Sequence, residues 1–278
     1  MASRLTGLVR LVHPFPSILD GIVSAAFALV ATGSPQVAAG IGLSMTALQF
    51  GIGATNDLVD APRDAGHKPG KPIPTGLVSA RGARSVAIAA FGTGIGLAGL
   101  SGGLAAVGLA LVVIAIGLSY DLRLKGTAWS WLPFAIGIPF LPIFGWLGAS
   151  GSLPIAFVVL VPAAVATGAA LAISNALVDV ERDTAAGSSS IALALGPRTA
   201  WSIHLGLLVG VGLAAVASVR PLGGSEVGIL AVGVAAVLPP AAALFGRGGG
   251  ANRRERAWEL EAVAVAVLGI GWLAAVLT

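Results

Sequence analysis

Nine nearly uncharged runs, each 17 to 26 residues long, recur along this 278-residue chain at 16–33, 37–56, 84–100, 103–120, 129–149, 153–178, 199–218, 226–245 and 258–277. As a helix, each suffices to cross about 30 Å of hydrocarbon. No ten-residue apolar/polar alternation appears, and an open sheet edge cannot sit in lipid, so helices are the spanning element. Only 10% of the residues are charged and 56% are hydrophobic, against about 25% charged in an average soluble domain, which excludes a soluble globular enzyme. The absence of Cys excludes disulfides, thiolate catalysis and iron–sulfur clusters. The first run lacks a small-residue cleavage site and is read as a retained helix, not a signal peptide.

Short loops rich in Lys and Arg stay cytoplasmic. Arg4 and Arg10 precede the first run; Arg63, Lys68, Lys71, Arg81 and Arg84 follow the second; Arg123 and Lys125 the fourth; Arg182 and Arg198 the sixth; Arg247, Arg253, Arg254 and Arg256 the eighth. Of the 16 cations only Arg220 falls on the other side. The N-terminus is therefore expected in the cytoplasm, and the pI of about 10.3 reads as topology, not as nucleic-acid binding.

Seven of the 12 acids fall in three stretches on that cytoplasmic side: Asp57, Asp60 and Asp64; Asp121; and Asp179, Glu181 and Asp183. Two stretches share one pattern, N-x-x-x-D-x-x-x-D, at Asn56, Asp60, Asp64 and at Asn175, Asp179, Asp183. A spacing of four puts these side chains along one face of a continuing helix. Both motifs close an even-numbered run, which points to an internal parallel repeat. Crowded carboxylates near a low-dielectric boundary repel one another and need a cation. Mg²⁺ fits, because it takes oxygen ligands from one or two carboxylates and leaves positions for water and phosphate oxygens. Two such clusters could hold a diphosphate through bridging metals and neutralise the charge that develops as it leaves.

With these motifs the chain resembles the UbiA superfamily of intramembrane prenyltransferases over nearly its whole length. The first motif matches N-D-x-x-D-x-x-x-D at Asn56, Asp57, Asp60 and Asp64. The loop from His67 to Gly76 is similar to the family's N-K-P-x-R-P-I-P-S-G, and the second motif matches at Asp179 and Asp183, followed by Gly187. Tyr120 and Lys125 resemble the family's Tyr and basic residue after the fourth helix. There are two departures: Ser189 stands where many members carry Lys, and His13-Pro14 stands where the first helix often opens with R-P.

The resemblance implies an all-α integral membrane fold of nine helices around a central cavity. One transmembrane domain would cover residues 1–278, with two four-helix halves each bearing one Asp-rich motif, plus a ninth helix. It implies a multi-pass cell-membrane enzyme with its active site facing the cytoplasm. Mg²⁺ would be held by Asn56, Asp60, Asp179 and Asp183, with Asp57 and Asp64 supporting. Lys68, Lys71, Arg123 and Lys125 would bind the prenyl diphosphate. Tyr120 and Asp121 complete the catalytic set, Asp121 as the proton acceptor. For the acceptor, an aromatic quinone precursor, the commonest in the family, is the first expectation. A polyol phosphate of the ether-lipid type is the alternative, since the loop from Lys68 to Pro74 is also similar to that branch. A secondary transporter is the rival from another class, but it would place its acids near the midplane.

Asp20 and Gln49 are expected to line the same cavity, and His204 to make a structural hydrogen bond. Trp129, Trp131, Trp258 and Trp272 read as interfacial anchors. Pro133, Pro139 and Pro142 read as kinks, and Gly92, Gly94, Gly96 and Gly99 as close-packing positions. The stretch from Arg247 to Arg256 reads as a flexible loop touching anionic lipid.

Overall fold

The computed structural model describes residues 4–66, 70–185 and 187–277. The helices are α1 (Arg4–Leu11), α2 (Pro14–Thr32), α3 (Pro35–Asp64), α4 (Ala80–Ser119), α5 (Leu132–Ser150), α6 (Phe157–Val178), α7 (Val180–Ala185), α8 (Ile191–Leu195), α9 (Pro197–Val219), α10 (Glu226–Gly246) and α11 (Ala251–Leu277). A π turn, Tyr120–Leu124, prolongs α4. Helix starts follow local chemistry. Pro stands in the first turn of α2, α3 and α9, where its missing N–H costs nothing. Ser34, Ser79 and Ser225 accept N-cap bonds from Val37, Gly82 and Gly228, satisfying donors that a helix start leaves open.

Among the described residues eight helices, not the expected nine, are long and apolar enough to cross a membrane: α2 to α6 and α9 to α11. The difference lies in α4, which joins the runs expected at 84–100 and 103–120. Inside it Gly103 takes φ +64°, ψ −154°, a conformation open to glycine and closed to side chains. A Cβ on Gly51 would meet the Phe91 ring, and a Cβ on Gly117 would meet Ile52, each at 2.5 Å. Phe91 and Gly117 thus lie at one level of α3, whereas an unbroken helix would separate them by about 39 Å. The element doubles back at Gly103, with too few residues between its arms to form a loop.

The chain divides into two compact units, residues 1–123 with 140–153, and 124–139 with 154–278. In the first unit small residues bring helices together. A Cβ on Gly21 would lie 2.7 Å from the Gly42 carbonyl, and one on Gly94 2.6 Å from Leu48. Ser44 Oγ donates to the Gly94 carbonyl at 2.7 Å and Ser24 Oγ to that of Leu141 at 3.2 Å. Gly92 and Gly96 have open space beside them, so the close-packing role belongs to Gly94.

In the second unit α6 packs on α9 and α11. Ala170 and Leu208 of α6 and α9 share a core with Ala243 of α10. Trp272 is 3% exposed and donates from Nε1 to Ser218 Oγ at 2.9 Å. It is an internal strut between α11 and α9, not the interfacial anchor its place near a helix end suggests.

Candidate functional site

At about 45 Å, the 30-residue α3 outruns the hydrocarbon by several turns, and its surplus end carries the first acidic motif. α1 and the segment from Gly70 to Val78 cover that end. Leu11, Ala54, Val78, Ala83 and Ala87 form one buried cluster there, and a Cβ on Gly7 would meet Leu77 at 2.8 Å. Beneath this cover Asp57 is 2% exposed, Asp60 4% and Asp64 4%. The expected single face is realised, because α3 runs unbroken through Pro62 to Asp64.

The π turn adds Asp121, which is 5% exposed. Within the turn Asp121 is buried while Leu122 and Arg123 are exposed. Asn56 Nδ2 donates to Asp121 Oδ1 at 2.7 Å, tying the first motif to the end of α4. Asp57 Oδ1 pairs with the Lys71 ammonium and with His13 Nε2 at 2.9 Å, while its Oδ2 has no hydrogen-bond partner among the described residues. Tyr120 and Lys125 are half-buried and Arg123 is exposed. Lys68 lies outside the described residues. Asp20 is half-buried on α2, and Gln49 Nε2 contacts Met45 Sδ at 3.9 Å.

His13 escaped the sequence reading as a site residue. It sits between α1 and α2 at φ +49°, ψ +64°, the left-handed region that costs a residue with a side chain roughly 1–2 kcal/mol. That conformation turns the ring toward Asp57, 44 residues away. The one available signal was His-Pro at a helix start, where Pro restricts the backbone of the residue before it.

In the second unit the motif is built differently. α6 stops at Val178, Asp179 takes φ −99°, ψ 7°, and the chain resumes as α7. The expected continuing helix is therefore broken between Asn175 and Asp183. Asp179 is half-buried and accepts from Arg182 Nη1 at 2.7 Å; Asp183 is half-buried, and Ser189 is exposed. Deeper in this unit, His204 Nδ1 lies 3.0 Å from the Ala170 carbonyl, the expected structural bond. Its Nε2 stands 3.3 Å from Glu261 Oε2, and Ser174 Oγ donates to Glu261 Oε1 at 3.2 Å. His204 and Glu261 are each 1% exposed. Glu261 was invisible in sequence because it lies in the polar opening turns of α11.

Asp57, Asp60, Asp64 and Asp121 are all buried in unit 1, and Lys71 and His13 pair with Asp57. Carboxylates buried in low dielectric are costly unless cations or hydrogen bonds offset their charge. The donor set is all oxygen apart from Asn56, which has a carbonyl oxygen to offer, and this suits Mg²⁺. No three acidic or histidine side chains among the described residues are already gathered at coordinating distance.

Comparison with known proteins follows the same line. The model of the UbiA prenyltransferase family matches residues 19–264. A digeranylgeranylglyceryl phosphate synthase of Natronomonas pharaonis is 31% identical over 211 residues, covering 74% of this chain and 75% of that protein. The enzyme of the same name from Methanopyrus kandleri is 34% identical over 149 residues, and the match spans about half of each, 52% of this chain and 53% of the relative. A UbiA homolog from Archaeoglobus fulgidus, solved with GPP and Mg²⁺, shares the fold with a TM-score of 0.73 at 20% identity, over 98% of this chain and 100% of that one. The chain belongs to the UbiA prenyltransferase family, a family of enzymes that transfer prenyl groups.

Proposed function

We propose that this protein transfers a prenyl group from a prenyl diphosphate, with Mg²⁺, to a hydroxyl of a glycerol-phosphate lipid, the ether-lipid type of reaction. The observation that carries the chemistry is the set of buried carboxylates Asp57, Asp60, Asp64 and Asp121 at the end of α3. The acceptor class is supported by the names of the two curated relatives, both digeranylgeranylglyceryl phosphate synthases. They favour the polyol phosphate over the aromatic acceptor that was the first expectation, and nothing in them points to quinone synthesis.

Asn56 and Asp60 of the first motif and Asp179 and Asp183 of the second would hold the metal ions. When bound, Mg²⁺ supplies the positive charge that neutralises a leaving diphosphate. Lys71, Arg123 and Lys125 add point charges and a guanidinium fork for the same oxygens. Lys71 is held by Asp57, so that carboxylate positions the lysine. As the allylic carbon–oxygen bond breaks and the acceptor oxygen bonds to that carbon, Asp121 takes up the hydroxyl proton. Asn56 steadies Asp121 through its amide. We further infer nine membrane crossings, with the N-terminus and both acidic motifs on the cytoplasmic side. The reversal at Gly103 and the cation distribution support this topology.

The test is a competition. Purified full-length protein with Mg²⁺ and labelled geranylgeranyl diphosphate is offered geranylgeranylglyceryl phosphate and 4-hydroxybenzoate together, and products are read by mass. An EDTA-sensitive glyceryl ether product is expected. Prenylated hydroxybenzoate as the main product would overturn the acceptor assignment.

A further inference from the structure

The stretch from Arg247 to Arg256, expected as a flexible loop, is helical from Ala251 onward, where it forms the opening turns of α11. Arg253 Nε donates to the Phe245 carbonyl at 2.5 Å, and its guanidinium lies 4.8 Å from the centre of the Phe245 ring, so that side chain serves its own turn. Arg254 reaches further. Its Nη1 donates to the Gly249 carbonyl at 2.7 Å, and its Nη2 donates both to the Val178 carbonyl at 3.4 Å and to the Glu181 carboxylate. Only 13% of the Arg254 side chain is exposed, against 68% of that of Glu181.

Val178 is the last residue of α6, and Glu181 lies in the first turn of α7. One guanidinium therefore grips the chain on both sides of the break at Asp179. α7 buries none of its residues, and at its far end Ser188 bonds to the Asp183 carbonyl. A cavity of about 330 Å³ lies beside it, lined by Leu177, Val180, Thr184 and Trp201 together with Glu181 and Arg254 themselves. With no residue of α7 fully buried, polar contacts contribute to the angle between Asp179 and Asp183. Arg182 makes one of these within the same turn; Arg254 brings two more from another helix, to Val178 and Glu181.

We infer that Arg254 is the positioning residue of the second acidic motif, setting the angle at which Asp179 and Asp183 are presented to Mg²⁺. The inference rests on the function proposed above. It requires a planar fork with donors in several directions, which lysine does not supply.

The test is Mn²⁺ binding, followed by EPR, to the full-length chain in lipid nanodiscs with inorganic diphosphate present. Arg254→Lys keeps the charge and loses the fork. It should weaken Mn²⁺ binding about tenfold, as expected for losing charge-assisted bonds, with the melting temperature unchanged. Glu181→Gln should weaken binding less, because the grip on Val178 survives. Arg253→Ala should bind as wild type. In turnover assays Arg254→Lys should raise the Mg²⁺ requirement and leave kcat at saturating Mg²⁺ unchanged. Wild-type Mn²⁺ affinity in Arg254→Lys would overturn the inference alone. A wild-type chain that binds no Mn²⁺ would overturn the functional reading beneath it.

Discussion

In the first unit Asn56, Asp57, Asp60 and Asp64 ride an unbroken α3, and all three aspartates are under 5% exposed. In the second unit Asn175, Asp179 and Asp183 carry the same spacing, yet the helix breaks at Asp179 and α7 buries nothing. The first motif is covered by α1 and the segment from Gly70 to Val78, which bring His13 and Lys71 onto Asp57. At the second, Arg182 from the same turn pairs with Asp179, and Arg254 from α11 pairs with Glu181. A repeated motif thus fixes which residues are available, while the elements packed over it decide whether they are rigid and buried or hinged and half-exposed.

The comparison breaks first if one motif is dispensable. Asp60→Ala and Asp179→Ala should each lower turnover at least ~100-fold, the loss typical of removing one strong electrostatic stabiliser. Steady-state kinetics check this, and a variant with normal turnover would confine the chemistry to one unit. Next is access. A Cys at Ser189 should label readily, and only from the cytoplasmic face, whereas a Cys at Asp60 should resist the same maleimide, since one site is exposed and the other 4% exposed. External labelling at 189 would overturn the topology.

The cover over the first motif is tested through His13. His13→Ala removes a bond to the Asp57 carboxylate and keeps the strained backbone, so it should destabilise the chain by about 1–3 kcal/mol. His13→Gly loses the same bond and relieves the left-handed strain, so its unfolding midpoint should lie above that of the Ala variant. Equal midpoints would mean that the backbone is not strained at this position. The smallest effect belongs to Ser189→Lys. A partly screened charge near the diphosphate is worth roughly 1 kcal/mol, so KM for prenyl diphosphate should fall about fivefold with acceptor KM unmoved. An unchanged value would place residue 189 away from the phosphates.

Much of this was legible in sequence. Pro14, Pro35 and Pro197 and the serine caps mark helix starts within a few residues, because those signals act over one turn. The acids of α3 could be put on one face because their spacing matches the helix period. The division of α4 was legible too, since the runs at 84–100 and 103–120 part within a residue or two of Gly103, the single non-helical position inside the element. Asp121 was named from sequence, but its bond to Asn56, 65 residues away, was not. His13 on Asp57, Arg254 on Glu181 and Glu261 on His204 join residues 44, 73 and 57 apart, and no local periodicity encodes such pairings. The acceptor was read from the family's commonest case, and the curated relatives favour the other branch.

The central claim is that both acidic motifs serve one prenyl diphosphate. It is tested most directly by equilibrium binding of labelled geranylgeranyl diphosphate to the full-length chain across a Mg²⁺ titration, comparing wild type with Asp60→Ala and Asp179→Ala. The account expects one diphosphate bound per chain in wild type, with Mg²⁺-dependent affinity lost in either variant. Mg²⁺-dependent binding that survives in Asp179→Ala at wild-type strength would contradict it.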